Sequence, residues 1–484
     1  MGALAVVALV GRIVAAFALT MLLPLAFAVV GQDAARGAFA TGCGLTLAAG
    51  LALSLAARRF RRELQPRDGF LLVGLTWLTL PLLGALPLWL AVPGIDFTQA
   101  CFEAVSGLTA TGATVISGLD TLPPSVNVWR CFMMWVGGLG IIVLAVAVLP
   151  LLGVGGAQLF KTEMSGPLKD QKLTPRIADT ARAIWSTYGL LSLACMISYH
   201  AAGMNWLDAF MHMNATVALG GFSSHDASFG YWNSPAIEAV AIVFMLLAGV
   251  NLTLYYASWR GLTLAPLVRN PEAQAFVGVL GGATLLVAAY LVALGTVPDW
   301  TSALRQAAFH VVSVATTTGF ATQDYAQWPL FAPFLMILLG CFATCAGSTG
   351  GGVKMIRMLL MIKQARRELV RIVHPNVVNP VVLGGRVVGD RVMQSVISFM
   401  LAYGAALVAL TMVLLFSGLD PVTAFTAVIA CLNNIGPGLG QVGPAVNYGG
   451  LTGFQTWVCS AAMLLGRLEL LTVLVLFTPR FWRG

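Results

Sequence analysis

Four short segments of this chain each place a glycine in a loop of small, threonine- or glycine-rich residues, about one hundred residues apart. They read TATGAT (109–114), ALGGFSSHD (218–226), ATTTGFATQD (315–324) and NNIGPG (433–438). Their central glycines are Gly112, Gly221, Gly319 and Gly436, with spacings of 109, 98 and 117. Each follows a short apolar stretch, with a phenylalanine 10 or 11 residues upstream: Phe102, Phe210, Phe309 and Phe425. The second and third copies share an aspartate five residues on, Asp226 and Asp324. In an apolar chain such a repeat predicts four equivalent loops around one axis. A ring of backbone carbonyls built that way can select a dehydrated cation.

Composition sets the solvent. The chain is 58% hydrophobic and 10% charged, with a mean hydropathy of +0.86; a soluble domain carries roughly a quarter of its residues as charged ones. Its 484 residues leave room for about ten spanning helices, and no polar stretch is long enough for a separate water-soluble domain. Two apolar segments open the chain, near 3–30 and 38–57. Four units follow, near 70–152, 180–260, 272–365 and 390–479, each read as a long helix, a shorter apolar segment ending in a glycine loop, and a second long helix. The short segments, such as 97–108 and 301–315, cannot cross ~30 Å of hydrocarbon and are expected as re-entrant half-helices. The opening segment has no charged start and no clear cleavage site, so an uncleaved helix is expected. The eight cysteines are scattered; Cys341 and Cys345 are close, at helical spacing, and are expected to pack rather than to form a disulfide or a zinc site.

Charge gives the topology independently. Of 27 Lys and Arg residues, 22 fall in 58–67, 161–182, 260 and 269, 354–391, and 480 and 483. Positive loops stay in the cytoplasm, which places both termini inside with ten spans between. The opposite side holds Arg36, Arg130 and Arg305 against Asp33, Asp96, Glu103, Asp120, Asp208, Asp226, Glu238, Asp299, Asp324 and Asp420. These acids are either what inside-positive orientation leaves behind or a vestibule that concentrates cations. The net charge of +8 reflects orientation and gives no reason to expect a nucleic-acid partner.

The loops suit a cation for three reasons. Glycine permits positive φ, so consecutive carbonyls can face a narrow tube. Thr111 and Thr318 offer small side chains that can brace the loops. A half-helix directed into the membrane also ends with its partly negative C-terminus near the axis.

These segments, with FEAVSGLTATGAT (102–114) and WVGGLGIIVLAVAVLP (135–150), resemble the TrkH/TrkG/KtrB superfamily of potassium transporters. The likeness runs over nearly the whole chain, and the two extra N-terminal helices resemble the TrkH branch. The resemblance implies an all-α integral membrane fold: two N-terminal helices plus four M1–P–M2 potassium-channel-like repeats around a pseudo-fourfold pore. It implies potassium ions held as substrate by Thr111, Gly112, Gly220, Gly221, Thr318, Gly319, Ile435 and Gly436. Ala113, Phe222, Phe320 and Pro437 replace the tyrosine of the potassium-channel TVGYG pattern, which matches the superfamily's looser filter. In plant relatives a serine at the first filter glycine accompanies sodium transport, so Gly112 points to potassium.

Two further features stand out. CFATCAGSTGGGVKMIRM (341–358) interrupts an apolar helix with Gly347, Gly350, Gly351 and Gly352. Each interior glycine costs ~1 kcal/mol of helix stability, so a break is expected. A phosphate loop is excluded, because Val353 separates the glycines from Lys354 and Met355 follows it. The segment is either a packing kink or an intramembrane loop that blocks the pore beneath the filter; the resemblance implies the gate. Arg467 lies in the apolar run LLGRLELLTVLVLF. It is either half of a structural ion pair, for which Glu469 is awkwardly placed at i+2, or a cation facing the pore below the filter. The resemblance implies the latter. His200, His212, His225, His310 and His374 lack metal-ligand spacing; His212 and His310, nine residues before Gly221 and Gly319, are expected to pack.

The expected organisation is 1–68 for the two N-terminal helices, 69–153 for repeat 1, 154–262 for a cytoplasmic loop and repeat 2, 263–388 for repeat 3 with the gating loop and a cytoplasmic linker, and 389–484 for repeat 4. The expected function is potassium uptake across the bacterial cytoplasmic membrane. Proton- or sodium-coupled symport stays open, and an integral membrane enzyme would need clustered catalytic residues that are not visible. No cofactor or dinucleotide fingerprint is expected in this chain. The resemblance implies a cytosolic nucleotide-binding ring of TrkA type and a homodimer, and the basic stretch 354–391 could dock an acidic partner.

Overall fold

The computed structural model describes residues 2–60, 65–152 and 177–483, and the chain is an all-α membrane protein. Helices α1 (Gly2–Thr20) and α2 (Leu22–Val30) form one pass, interrupted at Met21. Helix α3 (Arg36–Ala56) packs back along α1. Their crossing depends on Gly11 and Gly50, where an added Cβ would stand 2.5 Å from the opposite backbone. Small residues at such crossings let helices approach where lipid gives no hydrophobic drive.

Four helical repeats follow. Repeat 1 holds α4 (Pro66–Ala91), α5 (Phe97–Leu108) and α6 (Pro124–Leu152). Repeat 2 holds α7 (Ile177–Ala201), α8 (Trp206–Ala218), α9 (Pro235–Gly249) and α10 (Leu252–Gly261). Repeat 3 holds α11 (Pro271–Ala293), α12 (Trp300–Ala315), α13 (Phe331–Gly340) and α14 (Met355–Val373). A two-stranded hairpin, β1 (Val382–Leu383) with β2 (Arg386–Val387), then leads to repeat 4: α15 (Asp390–Phe416), α16 (Pro421–Leu432), α17 (Gly453–Arg467) and α18 (Leu470–Leu474).

The short helices α5, α8, α12 and α16 start alike. Asp96, Asn205, Asp299 and Asp420 are their N-caps, each accepting from the third backbone N–H at 2.7–2.9 Å (Gln99, Asp208, Ser302, Thr423). Such a cap satisfies an otherwise orphaned donor and is worth about 1 kcal/mol. Others of the ten acids expected on one side have structural partners farther away in the sequence. Glu103 and Glu238 are buried in ion pairs with Arg130 and Arg305, and Asp226 accepts from the backbone of Gly118 and Leu119.

The expected long second helix is continuous in repeat 1; the break expected at the glycines of repeat 3 is present, and repeats 2 and 4 carry unexpected breaks. In repeat 2 the helix turns through 90° between α9 and α10, where Asn251 caps the new helix through the Thr253 N–H. In repeat 3 residues 341–354 leave the helical path. In repeat 4 the turn between α17 and the following helical segment is 109°, at Glu469, whose φ is +55°. Cys345, expected on a helix, lies in the non-helical stretch. The basic segment 161–182 falls, as far as 176, outside the described residues, as do residues 61–64 of the segment 58–67.

Candidate functional site

The four half-helices end by one device. Ala110, Leu219, Thr317 and Asn434 take left-handed φ of +51°, +54°, +63° and +56°. The next residue's N–H reaches back to close a wide turn: Thr111 to Ser106, Gly220 to Ala215, Thr318 to Ser313 and Ile435 to Ala430, each 2.8 Å. This is a Schellman termination, repeated four times, and none of the four left-handed residues is glycine. The central glycines follow at φ +88°, +80°, +85° and +97°.

Steric contacts close the four segments into a ring. A Cβ on Gly112 would meet the Gly220 carbonyl oxygen at 2.2 Å. On Gly221 it would meet that of Thr318 at 1.9 Å, on Gly319 that of Ile435 at 2.2 Å, and on Gly436 that of Thr111 at 2.7 Å. Each repeat's glycine is thus covered by the preceding-residue carbonyl of the next repeat, and the fourth returns to the first. All eight residues expected to line an ion path are brought together in this ring. Both the left-handed φ and the missing Cβ make glycine obligatory there.

Side chains hold the ring from outside. The Thr111 and Thr318 hydroxyls bond those of Thr109 and Thr316 at 2.7 and 2.8 Å, and Asn434 Nδ2 donates to Thr111 Oγ1 at 2.9 Å. The outer end of each segment is tied to its own half-helix. Glu103 accepts from the Val115 N–H at 3.0 Å. His212 Nε2 bonds Ser223 Oγ at 2.9 Å. His310 Nε2 accepts from the Thr322 N–H at 3.3 Å, and Thr426 Oγ1 accepts from the Leu439 N–H at 2.9 Å. His212 and His310 therefore do more than pack. Arg130, fully buried, donates to Glu103 (2.7 Å), the Ser223 carbonyl (3.1 Å) and Thr114 Oγ1 (3.2 Å), joining repeats 1 and 2. Outside the ring His225 bonds Asp120 and Asp208 and stacks on Tyr231. Burial opposes its charge, but the two carboxylates prevail and raise its pKa above the ordinary imidazole value. The expected phenylalanine equivalence is partial: Phe102 and Phe309 are buried, whereas Phe425 is exposed.

Residues 341–354 lie against the inner ends of three half-helices. The Gly351 N–H donates to Thr317 Oγ1 at 2.9 Å, and Thr349 Oγ1 donates to the Val217 carbonyl at 2.9 Å. The glycines serve two needs. Gly347 and Gly352 take φ of +74° and +80°. Gly350 and Gly351 allow close approach, since a Cβ on Gly351 would meet the Asn433 oxygen at 2.1 Å. Two anchors were not visible in the sequence. Glu272, at the start of α11, accepts from Ala346 N–H at 2.8 Å and Ile356 N–H at 3.0 Å, gripping both ends of the loop. The Gly249 carbonyl and Leu252 N–H at the repeat 2 break bond Cys345 and Gly347. Lys354 turns its ammonium back to the Gly350 carbonyl.

Arg467 is not within a continuing helix; it is the last residue of α17. Its guanidinium, buried, donates to the Thr349 carbonyl of the loop at 2.8 Å and to the Gly137 carbonyl of α6 at 3.4 Å, with Nε unpaired. Among the described residues it has no carboxylate partner: Glu469 pairs with Arg357 at 3.0 Å instead.

Comparison with known proteins identifies similar chains. Residues 35–483 match the TrkH family, described as cation transport protein. The Trk system potassium uptake protein TrkH of Halomonas elongata is 44% identical over 478 residues, covering 98% of each chain. That of Salmonella typhimurium is 45% identical over 482 residues, covering 99% of each. The crystal structure of the potassium transporter TrkH from Vibrio parahaemolyticus superposes with a TM-score of 0.92 at 42% identity, covering 100% of both chains.

Proposed function

We propose that this chain, which belongs to the TrkH family of cation transport proteins, takes up potassium across the bacterial cytoplasmic membrane through its four-segment ring. The observation that carries this reading is the closure of the ring, each glycine covered by the next repeat's carbonyl. Thr111, Gly112, Gly220, Gly221, Thr318, Gly319, Ile435 and Gly436 would supply oxygens in place of the ion's water. The names of the full-length relatives support potassium as the substrate. The stretch 341–354 would be the gate: it is hydrogen-bonded directly to the ring residue Thr317 and to Arg467, so it can close the inner mouth and add a positive charge there. The basic segments 354–391 would face the cytoplasm with both termini and dock a nucleotide-binding ring of TrkA type, two copies of this chain working as a dimer.

Gly112→Ser tests the reading. Its Cβ would collide with the Gly220 carbonyl, and φ at +88° disfavours any side chain. Tracer potassium uptake under sodium competition is expected to lose about tenfold in preference, equivalent to about 1.4 kcal/mol. An unchanged preference removes Gly112 from the ion path.

A further inference from the structure

The ring closes where repeat 4 meets repeat 1, a seam that Asn434 crosses to Thr111 and Tyr448 crosses as well. Tyr448 sits in a short turn beyond the fourth segment, buried. Its backbone N–H donates to the Thr114 carbonyl of the first segment at 2.8 Å. Its hydroxyl donates to the carbonyl of Gly436 itself, also at 2.8 Å. The ring of Tyr448 lies 5.3 Å from that of Phe102 on α5, which fixes the phenol in place. Among the described residues the corresponding carbonyls of Gly112, Gly221 and Gly319 receive no such bond.

The four repeats are therefore not equivalent at the glycine level. A carbonyl oxygen that accepts from an O–H group shares its negative charge with that donor. On the proposed ion path its field would then be weaker than that of its three counterparts. The number and field strength of coordinating carbonyls decide which cation sheds its water at such a ring, a weaker field favouring the larger, less strongly hydrated ion. We propose that Tyr448 sets the preference among alkali cations by weakening the Gly436 carbonyl. This inference rests on the ring being the ion path.

Tyr448→Phe removes one oxygen and keeps the packing on Phe102. The full-length chain in its membrane is assayed for rubidium and potassium tracer uptake, per folded protein. Freeing the carbonyl is expected to lower the rubidium-to-potassium ratio about fivefold, the worth of one hydrogen bond. Tyr325, in the turn beyond the third segment, carries a buried hydroxyl with no hydrogen-bond partner among the described residues; Tyr325→Phe is the matched control and is expected to leave the ratio unchanged. An unchanged or raised ratio in Tyr448→Phe overturns the proposal. So does an equal fall of both rates, which marks a purely structural role, or the same shift in Tyr325→Phe. If the unaltered chain takes up neither ion the ring reading falls too, whereas a Gly112→Ser effect without a Tyr448→Phe effect leaves that reading standing and this one overturned.

Discussion

Arg467 shows how a single charge can be held inside an apolar chain. Its guanidinium is satisfied by two carbonyls on separate elements, Thr349 and Gly137. Carbonyl partners do not cancel the positive charge, so on the proposed ion path Arg467 would both tether the loop and oppose a cation beneath the ring. A hydrogen bond from a charged group is worth about 1.5–3 kcal/mol. Arg467→Ala is expected to raise potassium flux per folded protein by about tenfold or more, and Arg467→Lys to keep most of the restraint. Equal or lower flux in a well-folded alanine variant would remove the barrier role. Protein yield is expected to change little, because among the described residues no buried carboxylate is stranded: Glu469 keeps Arg357.

At the scale of elements, the half-helices work as four copies of one part with different fastenings. Capping and termination are common to all, because backbone donors and acceptors must be satisfied wherever a helix ends in the membrane. The side chains that tie their outer ends differ: a carboxylate, two imidazoles and a hydroxyl. Between repeats 1 and 2 the outer fastening can titrate. His225 is faced by Asp120 and Asp208, with Asp226 next in sequence and the rings of Tyr231 and Trp232 around it. Its raised pKa means that the folded state holds the proton more tightly than the unfolded chain. The stabilisation is therefore complete below the unfolded value of about 6.5 and is lost as pH rises through the folded value. His225→Gln should lower the thermal midpoint at about pH 6 and have a smaller effect at about pH 9. An identical shift at both pH values would show that the imidazolium does not fasten the two repeats.

For the molecule as a whole, the stretch 341–354 is where three repeats meet. It bonds the repeat 2 break, its own half-helix and Arg467 of repeat 4. Glu272 holds its two ends in register. It continues into α14 and bonds Thr317 of the third segment, so in the proposed gate a displacement of the basic segment 354–391 would be passed on through covalent backbone. Deleting residues 347–352 should raise potassium flux and weaken its dependence on a cytosolic partner, measured as uptake into vesicles with and without cytosolic protein. A variant that folds and reaches the membrane with flux unchanged would reduce the loop to a kink.

Four glycines at near-even spacing were enough to establish the repeat, because positive φ and close backbone approach strongly favour glycine there. Hydropathy anticipated the long apolar helices, of which five, or up to seven if each bent pair is one span, are long and apolar enough to cross a membrane among the described residues; the direction read from inside-positive loops is an expectation. The half-helix 97–108 was legible to the residue, its apolar run being bounded by a capping aspartate and a threonine-rich loop. What periodicity could not supply was any partner distant in sequence. The bends after Gly249 and Arg467, the grip of Glu272 on both ends of the loop, the turning of Arg467 towards Thr349, and the Tyr448 bond to Gly436 all join residues that only packing brings together. An apolar helix reads the same whether it continues or breaks. A buried polar side chain declares that it needs a partner, and the tertiary structure alone decides which one it finds.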